Sequence, residues 1–138
     1  MYLFIISKIF MVREACAINL GSSVILTGRV HSPRTTVSQY NEAGWVRDLP
    51  PLQQGRYDHA CSYYSNAEGT KVDIDIKYCS IIIFQTMLVT GGYDDIKLSS
   101  TELLVETASA WVFTGELPSP LYALRGANID NRVFVTGN

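Results

Sequence analysis

Apolar and β-branched residues recur along the chain in short runs divided by polar or glycine-rich gaps. Met87-Leu88-Val89-Thr90 is one such run and reads as a buried strand. Gly91-Gly92 ends it, and a glycine pair marks a backbone that needs positive φ or close approach. Tyr93 to Lys97 is a polar loop, after which Thr101 to Val105 and Ala110 to Phe113 resume as strands. With a strand near His59 to Tyr64 ahead of them, these make a set of four. An earlier set falls near Glu14 to Asn19, Ser23 to Thr27, Thr36 to Tyr40 and Trp45 to Arg47. A third set opens with Ala127 to Ile129 and Arg132 to Thr136, joined at Asp130-Asn131 as the tight turn pair. No stretch carries helical periodicity, so the pattern predicts an all-β chain.

The sets repeat. Val24 to Gly28 (VILTG), Val89-Thr90-Gly91 and Val133 to Gly137 (VFVTG) end alike. From Thr90 to Thr136 is 46 positions, whereas from Thr27 to Thr90 is 63, or 17 more. Glu68 to Phe84 is a stretch of 17 residues with no counterpart in the other copy, and its removal makes both periods 46. The tryptophans follow the same period. Trp45-Val46 leads to Leu49-Pro50, and Trp111-Val112 leads to Leu117-Pro118. Arg13, Arg56 and Arg125 each open a returning strand, and Cys16 and Cys61 are aligned as one repeat position, which accounts for both cysteines without a disulfide.

A strand, Gly-Gly, a polar loop, a second strand and a Trp-bearing strand closed by Leu-Pro resembles the kelch repeat, whose period is about 50 residues. The resemblance implies a β-propeller of four-stranded antiparallel blades. Its structural positions fall on Gly28, Gly91, Gly92, Gly137, Trp45 and Trp111. The division is an apolar segment 1–12 and a repeat region 13–138, with blades at 13–52 and 55–118 (insert 68–84) and a partial blade at 121–138. Only the second copy has the full Gly-Gly, since Arg29 follows Gly28 and Asn138 follows Gly137. Closed propellers need at least four blades, so an incomplete propeller is expected, either a fragment of a longer one or a truncated gene product. Both tryptophans are expected to be buried between blade faces.

Composition narrows the function. A formal net charge of −2 gives no electrostatic footprint for nucleic acid or anionic lipid. Met1 to Met11 is apolar but too short to span a bilayer, which needs about 20 apolar residues. Three cysteines without a CxxC, and no Asn-x-Ser/Thr sequon, point to a reducing, cytoplasmic setting.

Candidate chemistry is sparse. On a strand from Arg56, residues Tyr57, His59 and Cys61 share one face, a set that could ligate copper, as in oxidases with a kelch-like propeller. A metal site needs three or four converging ligands, and the other histidine, His31, belongs to a turn, so His59 and Cys61 are read as packing residues. Asp94-Asp95 lacks the further oxygens of a calcium loop and is read as solvated. No nucleophile triad, phosphate loop or HExxH occurs. No metal, no cofactor and no catalysis are expected.

The resemblance implies a protein-binding module, a scaffold or the substrate-recruiting part of a ubiquitin ligase adaptor. The alternative is a piece of a copper-oxidase-like catalytic propeller. The positions that match a partner-binding surface are Arg13, Arg56 and Arg125, with Tyr93, Asp94 and Asp95 after the glycine pair. An inter-blade salt bridge is the competing role for each arginine. Self-association is expected of the chain by itself, through the unpaired edge of Arg132 to Thr136.

Overall fold

A computed structural model describes residues 14–65, 71–73, 80–82, 85–105, 108–129 and 132–138. Sheet 1 is a four-stranded antiparallel meander of β1 (Cys16–Asn19), β2 (Ser23–Thr27), β3 (Val37–Asn41) and β4 (Gly44–Asp48). Sheet 2 orders β5 (Ala60–Ser65), β8 (Gln85–Thr90), β9 (Leu98–Val105) and β10 (Val112–Leu121) in the same way. The hairpin β11 (Arg125–Ile129) and β12 (Arg132–Thr136) forms a third unit. Among the described residues there is no helix. The chain is all-β, a partial propeller of four-stranded antiparallel blades.

Register shows the repeat directly. Thr27 pairs with Val37 and Thr90 with Thr101 at the same point of each meander. On the inner side, Thr27 pairs with Cys16, Thr90 with Ala60 and Thr136 with Arg125. Ser65 pairs with Gln85, so the insert lies between two neighbouring strands. Within it β6 (Lys71–Asp73) and β7 (Ser80–Ile82) pair with each other as a separate two-stranded sheet. The last strand is longer than its sequence suggests. β10 runs through Pro118 and Pro120 to Leu121 with two register shifts, and it stands at the edge of its sheet, where proline is tolerated.

Period-two alternation decides the core. Ile18, Ile25 and Val37 share the face of sheet 1 that meets Met87, Val89, Leu104 and Trp111 of sheet 2, and the cluster closes over Leu52. The opposite face of sheet 2, with Leu88 and Leu103, is also buried. There β11 lies against β5: a Cβ added at Gly126 would meet the Ala60 methyl at 3.3 Å.

Three expectations require correction. Trp111 is fully buried, but Trp45 is 61% exposed. Trp45 stands on the face of sheet 1 turned away from sheet 2, and no described element covers that face. Second, Cys16 and Cys61 form a disulfide. They are not one repeat position: register aligns Cys16 with Ala60, and this offset of one residue points the two thiols across the seam at each other. Third, Arg56 and Arg125 are not equivalent. Arg125 begins β11, whereas Arg56 lies in the link before β5.

Candidate interaction surface

Gly28 and Gly92 end β2 and β8 with positive φ, at +64° and +96°. A Cβ at Gly28 would run into the Arg56 carbonyl, and one at Gly92 would meet the Tyr57 carbonyl at 2.6 Å. The missing side chain lets the Gly28 turn approach the segment that enters sheet 2, and lets the Gly92 turn approach that same entering segment from within its own sheet. Arg29 N–H donates to Arg56 O at 3.2 Å, and Tyr57 and Tyr93 exchange N–H···O bonds of 3.1 and 2.9 Å. Gly92 N–H reaches Leu121 O at 2.9 Å. Gly137 has ordinary φ and owes its smallness to the Tyr122 carbonyl, which an added Cβ would meet at 2.9 Å.

This stitching gathers three tyrosines along the glycine end of the sheets. The Tyr57 and Tyr93 rings lie 5.5 Å apart at 55°, and Tyr93 meets Tyr122 edge-on at 6.3 Å. Arg34 sits over Tyr57 at 5.3 Å and Lys97 over Tyr122 at 4.7 Å, both within cation–π reach. All three rings are half-buried, so each keeps an edge in solvent. Arg34 also donates to Asp94 at 2.6 Å and Asp95 at 3.1 Å, and these carboxylates raise its pKa. Asp94 takes a further bond from Gln54 Nε2 at 2.8 Å, while the Asp95 side chain stays 84% exposed. The sequence placed Tyr93, Asp94 and Asp95 on this surface. It did not mark Arg34, Tyr57, Lys97 or Tyr122 as partners of it. The signal for the tyrosines was their position at the end of each Leu-Pro link.

The three arginines part company. Arg13 lies outside the described residues. Arg125 is exposed, with its guanidinium on the Leu124 carbonyl at 2.9 Å. Arg56 is fully buried and cannot face a partner. Its guanidinium donates to Glu102 at 2.7 Å, to Gly91 O at 2.8 Å and to Ser100 O at 2.9 Å. Burial pulls its pKa below the ordinary value, and the Glu102 carboxylate opposes that pull. Glu102 also accepts the N–H groups of Gln53 at 2.7 Å and Gln54 at 3.2 Å. Trp111 Nε1 donates to Pro50 O at 2.7 Å, and Gln53 Nε2 to the Trp111 carbonyl. The link between the sheets is thus clasped by the second sheet.

Tyr57, His59 and Cys61 do not converge. Cys61 is in the disulfide, so its sulfur is no thiolate ligand. His59 is buried, with Nε2 at 2.8 Å from Thr27 Oγ1 and Nδ1 without a partner among the described residues. Burial, helped by the Arg56 charge, pushes its pKa down to about 3. Among the described residues no three His, Cys, Asp or Glu side chains gather as a metal site.

No family model and no curated protein matches the chain. Among solved structures it is similar to one titled "Structure of YjhT", at 13% sequence identity and a TM-score of 0.63. The match covers 92% of this chain and 34% of that one, so the chain spans about a third of its length. At that identity the likeness concerns the fold alone.

Proposed function

We propose that the chain is a non-catalytic protein-interaction module of the kelch-propeller type, and that it meets its partner through the tyrosine ridge. The observation that carries this reading is the ridge itself. Tyr57 and Tyr93 come from the second unit and Tyr122 from the entry to the third; they are held by backbone bonds and carry Arg34 and Lys97 on their faces. Tyrosine and arginine supply much of the energy of protein interfaces, and a preformed cluster loses little entropy on binding. The repeat period and the stitched glycine turns support the kelch assignment, and with it a scaffold or substrate-recruiting role in a larger protein. Among the described residues no helix is long and apolar enough to cross a membrane. The cytoplasmic expectation rested on three cysteines without a CxxC and on the lack of a sequon; the Cys16–Cys61 bond takes away the reading of those two cysteines as unpaired.

Site-specific photo-crosslinking tests the proposal. A crosslinker at Ile96, which is 68% exposed on the turn beside Tyr93, is compared with one at Glu42, exposed on the β3–β4 turn of sheet 1. The expected result is a discrete protein adduct from position 96 that Tyr93→Ala abolishes. No adduct, or equal adducts from both positions, overturns the reading.

A further inference from the structure

Arg56 and Glu102 are buried as a pair, each 0% exposed. A buried ion pair is a poor way to hold two sheets together, since apolar side chains of similar size often do so as well or better. Leu121 holds the place of Arg56 at the next unit. Each lies four residues before the residue paired with the repeat threonine, Ala60 with Thr90 and Arg125 with Thr136. Their carbonyls are used alike: Arg29 N–H donates to Arg56 O at 3.2 Å, and Gly92 N–H to Leu121 O at 2.9 Å. Leu121 makes this stitch with an apolar side chain, so the stitch does not require a guanidinium.

What the Arg56 side chain holds is the ridge. Its Nη1 donates to Gly91 O at 2.8 Å and to Ser100 O at 2.9 Å, the two stems of the turn that carries Tyr93, Asp94 and Lys97. Its backbone N–H donates to Arg34 O at 3.1 Å, and Tyr57 follows it in the chain. Glu102 accepts Nη2 of Arg56 at 2.7 Å and the N–H groups of Gln53 and Gln54 at 2.7 and 3.2 Å. Gln54 carries this hold outward. Its Nε2 donates to Asp94 Oδ2 at 2.8 Å, while Asp94 Oδ1 receives Arg34 at 2.6 Å. Arg34, Tyr57, Tyr93 and Asp94 therefore all take their places from one buried pair.

We propose that the Arg56–Glu102 pair is the positioning element of the tyrosine ridge, and that it is not what keeps sheets 1 and 2 together. Apolar packing does that, through Ile25, Val37, Val89 and Leu104. A guanidinium suits the other task. Its donors point in fixed directions, so one side chain sets two turn stems and a carboxylate at defined distances, which apolar contact does not specify. The pair touches no partner itself and acts through Gly91, Ser100 and Gln54. The consequence for binding rests on the ridge reading above, whereas the effect on Arg34 is measurable with no partner present.

Arg56→Met, Glu102→Met and the two changes together separate positioning from stability. Either single change strands a buried charge and should lower the urea midpoint, and the double change should raise it above both. Position is read in two ways. One is the Arg34 side-chain N–H signal of nitrogen-15-labelled arginine, which the Tyr57 ring 5.3 Å away displaces. The other is the crosslinked adduct at position 96. Both should stay impaired in the double variant although its stability returns. The Arg34 signal is expected to move to the place of an exposed arginine, and the adduct to fall at least about tenfold, as on loss of a central contact. A double variant with the wild-type Arg34 signal and adduct would overturn the proposal. So would one that does not fold, because the pair would then be part of what holds the sheets. An adduct missing from the wild-type protein overturns the ridge reading alone, and the Arg34 signal still decides the positioning.

Discussion

Sheets 1 and 2 have the same four-stranded order, the same Thr-to-Thr register and a tryptophan in the same place, yet they treat that tryptophan in opposite ways. Trp111 is sealed beneath Pro50 and bound to its carbonyl. Trp45 lies on the surface, and its indole N–H turns back to Asp48 Oδ1 at 3.1 Å. The neighbouring position differs as well. Where sheet 2 has Glu102 holding the link and Arg56, sheet 1 has Ser38, which donates to Asp48 at 2.7 Å. Asp48 is held below the usual carboxylate range by those two donors, Ser38 first. The β-meander alone therefore does not bury the repeat's aromatic residue. In sheet 2 the preceding link receives it, and the Glu102 carboxylate of β9 holds that link.

The widest gap between the sheets should appear on truncating the two tryptophans. Trp111→Ala removes a fully buried indole and its bond to Pro50, and should cost about 3–5 kcal/mol, as large-to-small changes in cores do. Trp45→Ala should stay within about 0.5 kcal/mol, as exposed substitutions usually do. Urea unfolding followed by circular dichroism measures both in monomeric sample. Equal losses would erase the distinction drawn between the sheets, and would mean that Trp45 is covered in solution.

How far the sequence carried the fold follows from what fixes each feature. Strands were legible because alternation and glycine stops are local; β2 and β12 fall on Ser23–Thr27 and Arg132–Thr136 as the pattern predicts. The common place of Thr27, Thr90 and Thr136 in their sheets was legible because it is a property of spacing. Burial of Trp45 was not, since it depends on a neighbour that the strand pattern cannot supply. The Cys16–Cys61 bond was hidden by an alignment one residue out of register, an error of no consequence for strand assignment but one that reverses the face. Aligning the arginines by type hid that Arg56 belongs to a link and is paired with Glu102, 46 residues away along the chain. Tyr93, Asp94 and Asp95 follow the glycine pair in sequence, but Tyr57 reaches Tyr93 from the link before β5 and Tyr122 from the entry to the third unit, contacts that spacing does not show.

The two seams offer a second, smaller contrast. The disulfide ties β1 to β5 across the first seam, while at the second Arg125, Gly126 and Ala127 leave no thiol to match. Cys16 and Cys61 enclose a loop of sequence separation 45, for which a disulfide typically contributes about 2–4 kcal/mol. Reduction, or a Cys16→Ser/Cys61→Ser double variant, should lower the melting temperature accordingly. Three alkylatable thiols in the native oxidised protein, or identical melting with and without reductant, would show that both seams hold by packing alone.

The plug of each seam gives the finest test. His59 lies between the turns at Gly28 and Gly92: Cβ atoms added there would each meet its side chain at 2.8 Å. Leu124 lies likewise between Gly91 and Gly137 and is equally buried, at 2% against 3% for His59. Register makes them equivalent, each one residue before the residue paired with the repeat threonine. One plug is titratable and the other is not. Folding holds the His59 pKa at about 3, far below its ordinary 6.5. Below pH 6.5 the unfolded chain therefore takes up a proton that the folded chain refuses until about pH 3. Stability from this group is complete above about pH 6.5 and falls with pH by up to about 1.4 kcal/mol per unit inside that window. His59→Leu copies the second plug into the first. It gives up the bond to Thr27, whose hydroxyl keeps the Cys16 carbonyl at 3.4 Å, so a small loss at pH 7.5 is expected. Between pH 6.5 and 4.5 the variant's stability curve should be flatter than the wild type's, a window chosen to lie above most carboxylate titration. Parallel curves for the two proteins would mean that His59 is charged or hydrated in the folded state, and that the two seams are not plugged alike.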